Sequence, residues 1–468
     1  MTGSTIPLPR TIQNLHRAYQ DGTLSVVEVV QKQLARIQAT QAQYHGFISW
    51  DDAGALHAAE KLDDWRKSHP EAALPPLFGI TLSIKDNIDV KNMKTTGASF
   101  SQVNHPPVNQ HAKVVQQLIE AGAVVLGKAN CHEFAFGGPS YDLPVPPATS
   151  PWKTDYFPGG SSSGTGVTVA ADLCTASLGT DTLGSIRSPA VHCGLVGLKP
   201  SYGSLSLDGV ALITTSMDHV GPVANTVDDC ERLFMIMAQH TAPNNHPCKK
   251  AYRVGIPVPD WGMEHYLHPE VSAMLNDVIR QLTAQGVEIV PLQLPNLHDI
   301  HACSVLTMMA EVAYTFGPKV RRQYEQFGAM FRKRILAGEA VTLPAYLQAM
   351  QDRITLRRDF LASMDDVDAL LLPGANAPAG PLSEVDAFYF LNEPTLNAIA
   401  NLTGQPTLSL PVSLSKAGLP MGIQLLGKPH QEHALFQLGR RLEAWFSFHA
   451  KRDKCFAISS LYQETINE

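Results

Sequence analysis

Two serine-bearing glycine turns, Gly159 to Gly166 (GGSSSGTG) and Thr180 to Ser188 (TDTLGSIRS), flank an Ala/Val/Leu-rich segment with almost no charge. Glycine lets backbone amides approach a ligand closely and adopt positive φ. Serine supplies hydroxyls that attack, relay a proton or cap a helix. Turns this polar, at the ends of a segment this apolar, mark a candidate active site. A third group stands upstream in PLFGITLSIKDNIDV, Pro76 to Val90. Leu77, Ile80, Leu82 and Ile84 form a short apolar run closed by the turn-forming Asp86-Asn87, so the run is expected to be a strand ending at Lys85. Burial disfavours a charged lysine and moves its pKa from about 10.4 towards neutrality. A neutral amine then accepts a proton from serine, which is the Ser-Lys form of nucleophilic catalysis and needs no histidine.

These segments, with GKANCHEFAFG (Gly127 to Gly137) and GLKPSYG (Gly197 to Gly203), occur in the order seen in the amidase signature family, which the chain resembles. The resemblance continues through TTSMDHVGPVANTVDD (Thr214 to Asp229) and GLPMGIQLLGKP (Gly418 to Pro429), so it spans nearly the whole length. It implies a Ser-cisSer-Lys triad: Lys85 as base, Ser161 as the bridging serine of a cis peptide, Ser185 as nucleophile. The two serines lie 24 residues apart, as in the family. The resemblance also makes Ser162 a hydrogen-bonding supporter and gives Asp181 and Arg187 structural roles. The backbone amides of Thr182, Leu183, Gly184 and Ser185 are expected to form the oxyanion hole, each donor contributing about 3 kcal/mol. No cofactor and no metal are implied.

The chain departs from the family at Leu183, where glycine is usual. If that position needs positive φ, leucine brings strain of about 1–3 kcal/mol; if only its amide is needed, leucine narrows the pocket. The proline-rich loop Ser140 to Trp152 also differs from the usual approach to the first turn and is expected to border the pocket.

Other motifs compete for the same residues. Gly160 to Gly164 fits the G-x-S-x-G nucleophile elbow with Ser162 at its centre, but Asp155 to Pro158 make a poor preceding strand. Ser150 to Lys153 and Ser413 to Lys416 match S-x-x-K without its companion motifs. Gly122 to Lys128 approaches a P-loop, yet Ala129 stands where Ser/Thr is required. In His132-Glu133, Phe136 takes the place of a zinc protease's second histidine. The bland role for Lys85 is a solvated strand end partnered by Asp86, and for Ser185 the N-cap of a helix starting at Ile186.

The supporting elements are those of an α/β protein: a single domain over residues 1–468 with a mixed, parallel-containing β-sheet sandwiched between helices. A helical N-terminal segment is expected over about 1–70, the signature core over about 76–225, and an α/β portion with a helical excursion over about 250–450. Thr241 to Lys250 reads as a polar seam. With 44% hydrophobic and 17% charged residues among 468, the chain can bury a large core. A net charge of −7 argues against a broad nucleic-acid or anionic-membrane surface. Seven cysteines without a C-x-x-C pair argue against a disulfide framework. The N-terminus lacks a secretory signal, and no run is long enough for a membrane span, so a cytoplasmic protein is expected. The expected partner is a small-molecule amide, with a homodimer left open.

The leading expectation is an amidase that hydrolyses a small or medium carboxamide through an acyl-enzyme. The alternatives are the catalytic A-type component of a glutamine-dependent tRNA amidotransferase and a catalytically silent binding protein of the same fold.

Overall fold

The computed structural model describes residues 8–239, 249 and 251–448. Among these residues eleven strands form one sheet: β1 (Phe47–Trp50), β2 (Thr81–Lys85), β3 (Val124–Ala129), β4 (Ala176–Asp181), β5 (Val196–Lys199), β6 (His219–Ala224), β7 (Arg253–Pro257), β8 (Glu288–Leu292), β9 (Ala369–Pro373), β10 (Thr407–Leu414) and β11 (Pro420–Leu426). Their order is β1-β3-β2-β4-β6-β5-β10-β11-β9-β7-β8. β2 runs parallel to β3 and β4, and β7 to β8 and β9, while the strands between these groups pair antiparallel. The sheet is therefore mixed and large, with helices against it, as the apolar runs alternating with glycine turns imply.

The N-terminal region is not continuously helical. Helices Ile12–Gln20, Val26–Tyr44 and Asp52–Ser68 are interrupted by β1. Ser25 caps the second of them in a reciprocal capping box with Glu28. His45 then turns left-handed, and Phe-Ile-Ser-Trp pairs antiparallel with β3. Those aromatic and β-branched residues suit a sheet edge better than a further helical turn. The seam expected over 241–250 lies outside the described residues except for Lys249, which pairs with Asp368.

Two strips of packing position the site. Helix Ser163–Ala170 is buried along its whole length between the two serine turns. Its Thr168 hydroxyl lies 2.7 Å from Ser83 Oγ on β2. Helices Leu297–Arg322, Ala329–Glu339 and Leu343–Ser363 form the excursion, and the first two contribute Phe316 and Phe331 to a second core cluster that also holds Phe134, Phe136, Met217 and Phe390. Among the described residues no helix is long and apolar enough to cross a membrane.

Candidate active site

Lys85 closes β2, a strand whose five residues are all buried and which is flanked on both sides by parallel neighbours. Ligands of parallel sheets gather beyond the carboxyl ends of the strands. Strand alternation puts Thr81, Ser83 and Lys85 on one face. Ser83 meets Ser177 there at 2.7 Å, and Thr81 meets Thr175 at 3.0 Å. Lys85 Nζ lies 2.9 Å from Ser161 Oγ, 2.7 Å from Thr180 Oγ1 and 3.4 Å from the Thr180 carbonyl. It is fully buried. Burial lowers its pKa to about 8, against the opposing pull of the Asp218 and Asp181 carboxylates. Asp86 is not its partner: that carboxylate forms a buried ion pair with Lys128 at 3.2 Å.

The Gly160–Ser161 peptide is cis. Ser161 is fixed on its other side as well, because the His132 N–H donates to the Ser161 carbonyl at 3.0 Å. The His132 ring lies so close to Gly160 that a Cβ there would fall 2.0 Å from Cε1. No larger residue fits. Burial, with Arg334 and Lys85 nearby, holds His132 well below the usual imidazole range and therefore neutral.

Ser162 Oγ donates to the Thr180 carbonyl at 3.1 Å, and the Thr180 N–H returns a bond at 3.3 Å. The Ser162 N–H donates to the Ser185 carbonyl at 3.3 Å. The two serine turns are thus tied together through their backbones. Ser185 is half-buried, whereas Ser161 is buried. Among the described residues Ser185 Oγ has no hydrogen bond, so the Lys85–Ser161 link is formed and the Ser161–Ser185 link is not. Catalytic hydrogen bonds often tighten only once substrate is bound.

The loop carrying Ser185 is over-determined by Asp181. Its carboxylate accepts from the N–H of Gly184 at 2.8 Å and of Ile186 at 3.0 Å, and from Asn401 Nδ2 at 2.9 Å. Arg187 meets it with two N–H groups at 3.1 and 3.0 Å. Arg187 also reaches Gln424 and Asn401, at 3.1 and 2.6 Å. Burial would raise the Asp181 pKa, but the guanidinium and these donors hold it below the usual carboxylate range.

One expectation changes here and two alternatives left open by the chain are decided. The Gly184 N–H donates to Asp181, so it is withdrawn from the expected oxyanion hole. Leu183 has no positive φ; that conformation falls on Gly184 (φ +113), where a Cβ would also lie 2.6 Å from Asn397. Leucine is unstrained and instead packs against the aromatic cluster. Ser185 is also not a helix cap, since helix Arg187–Cys193 begins after Ile186 without a side-chain cap.

Several neighbours of the candidate site escape a reading of the sequence. Thr180 Oγ1 receives both Lys85 and Asn87 Nδ2, the latter at 3.1 Å, and both residues lie within motifs whose other members stand out more. Asp218 accepts from Thr182 Oγ1 at 2.6 Å and from Thr214 Oγ1 at 2.7 Å, joining the loop that carries Ser185 to the 213–218 segment. Arg334 carries no sequence signal. It is buried, with the rings of Phe390, Phe136 and Tyr389 at 4.7, 5.5 and 5.8 Å from its guanidinium carbon. Its Nε donates to Ala387 O at 2.6 Å and its Nη1 to Phe136 O, while Nη2 has no partner among the described residues.

A fold with this sheet order, and a buried lysine on the serine of a cis peptide, defines an amidase-type protein, and the amidase family model matches residues 28–436. The chain belongs to that family. It is 34% identical to the A component of glutamyl-tRNA(Gln) amidotransferase from a Synechococcus strain, over 90% of this chain and 94% of that protein. A solved amidase structure superimposes with a TM-score of 0.83 at 31% identity, covering 93% of this chain and all of the other. Peptide amidase from Stenotrophomonas maltophilia gives a TM-score of 0.79 at 26% identity, covering 93% and 97%.

Proposed function

We propose that the protein hydrolyses the C–N bond of a carboxamide with Ser185 as nucleophile, Ser161 as proton bridge and Lys85 as base. The 2.9 Å contact between buried Lys85 Nζ and Ser161 Oγ carries this reading. Near pH 8 a large share of Lys85 is the free amine. It takes the Ser161 proton as Ser161 takes that of Ser185, and Ser185 Oγ bonds to the carbonyl carbon. The oxyanion rests on the amides of Thr182, Leu183 and Ser185. When the tetrahedral adduct collapses, the C–N bond breaks and the leaving nitrogen receives the proton back through Ser161. The acyl-enzyme ester remains, and water repeats the route to release a carboxylate.

Arg334 supports a substrate whose acyl part is apolar and carries an anionic group. A desolvated guanidinium without a carboxylate is costly unless something pairs with it. Its Nη2 is buried without a hydrogen-bond partner among the described residues, Asp386 acts on the guanidinium without forming an ion pair with it, and its charge acts on His132, the residue packed on Gly160. Arg334→Met is expected to raise KM about 100-fold for an acidic amide, a loss of about 3 kcal/mol, and to leave the KM of its neutral analogue within about threefold. Measuring ammonia release from a paired panel of acidic and neutral amides tests this; a preference for neutral amides that Arg334→Met leaves intact counts against it.

A second reading is favoured by the 34% identity to the A component of an amidotransferase. In that case the amide is glutamine and the ammonia passes to a partner protein. Both readings share the hydrolytic half-reaction, and glutamine also carries a carboxylate, beside an ammonium group, that a guanidinium can pair with. Glutamine turnover that appears only when B- and C-type components are added selects the second; turnover of other amides by the isolated chain selects the first.

A further inference from the structure

A cavity of about 490 Å³ lies between helix Leu343–Ser363, the end of helix Ala398–Thr403 and the loops carrying Tyr202 and His430. Its lining is divided by chemistry. Leu347, Met350, Ile354 and Leu402 supply an apolar wall, and Arg353, Arg357, His430 and Tyr202 supply the charged or ionisable groups. Among the described residues no carboxylate lines it. Leu347 and Ile354 are exposed, by 51% and 72%, although both are aliphatic. The cavity is of a size that suits a small organic ligand.

The two guanidiniums differ. Arg353 is held by backbone carbonyls: Leu402 at 3.0 Å, Ser216 at 2.9 Å and Asn401 at 3.3 Å. Arg357 has no hydrogen bond or ion pair among the described residues. Arg353 keeps its charge but has its Nε and Nη2 committed to carbonyls, so Arg357 is the cation left to pair fully, and beside an apolar wall it suits a monoanion with an apolar body. The carbonyls that Arg353 grips also matter. Asn401 is the residue whose side chain binds both Asp181 and Arg187 beneath Ser185. Ser216 adjoins Met217, whose carbonyl accepts from Asn401 Nδ2 at 3.3 Å.

We propose that this cavity is an effector site for a small organic carboxylate with an apolar body, coupled to the nucleophile loop through Arg353 and Asn401. The ligand's carboxylate pairs with Arg357, and its body covers Leu347 and Ile354. No covalent step is involved, and the site does not depend on which amide is cleaved.

Benzoate is the probe. In calorimetry on the full chain with Ser185 blocked by a fluorophosphonate, benzoate is expected to give saturable binding that Arg357→Glu weakens by about tenfold or more. Inorganic phosphate should not compete. In the unblocked protein, benzoate should change the rate at which the fluorophosphonate labels Ser185, and Arg357→Glu should abolish that change. Competition for the catalytic pocket would persist in Arg357→Glu, so it is separable. Arg357 is exposed and outside the catalytic machinery, so the variant is expected to fold and to keep its basal activity. Absence of saturable binding, equal binding in the variant, displacement by phosphate, or binding with no effect on labelling each overturns the proposal. If Ser185 never labels, the proposed hydrolytic role fails, while calorimetry on the unmodified chain against Arg357→Glu still decides the cavity.

Discussion

Ser185→Ala and Lys85→Ala are each expected to lower kcat/KM by about 10⁴-fold or more while the fold persists. Each removes one end of the proposed relay, whose members act as a unit, so the double variant should be hardly worse than either single one. Lys85→Arg should not rescue activity, because a guanidinium stays protonated and cannot serve as the base. Circular dichroism and thermal melting separate lost chemistry from lost structure. Folded Lys85→Ala protein with undiminished turnover would remove Lys85 from the mechanism.

Arg187→Met is expected to cost about 3–5 kcal/mol of stability, since it leaves the fully buried Asp181 carboxylate without its cation. The remaining donors from Gly184, Ile186 and Asn401 place the effect towards the lower end of that range. Arg187→Lys should recover little, because one ammonium cannot satisfy Asp181, Gln424 and Asn401 in the planar arrangement the guanidinium achieves. Activity should fall with stability, because Asp181 holds the N–H groups on either side of Ser185. The urea midpoint at unchanged m-value reads the first effect and turnover the second. A shift below about 1 kcal/mol would show that the ion pair is dispensable.

The catalytic candidates are legible in the chain because their chemistry is local. A short apolar run ending in lysine, and glycine turns carrying serines, state their roles within a few residues. The supports are illegible because they arrive from distant segments. Asn401, Gln424 and Asp218 look like ordinary polar residues in sequence and gain meaning only when β6, β11 and helix Ala398–Thr403 fold against the 181–187 loop. Arg334 is the extreme case: its surroundings in the chain, Phe-Arg-Lys-Arg, suggest a solvated basic face, yet the aromatic cluster encloses it. Leu183 looks strained only if positive φ is assigned one residue too early; Gly184 takes it, since only glycine fits beside Asn397. β1 is hidden for a simpler reason, being four residues between two long helices.

The central claim is a neutral Lys85 that activates Ser185 through Ser161, and fluorophosphonate labelling across pH measures this directly. Burial depresses the Lys85 pKa to about 8, so the free amine increases as pH rises. Below that value the labelling rate should fall about tenfold per pH unit, and above it the rate should level off. The adduct should map by mass spectrometry to Ser185, and Lys85→Ala should abolish the pH-dependent rate. An adduct on another residue, or a Ser185 rate indifferent to pH from 6 to 9 (roughly the window in which such a base titrates), would contradict it.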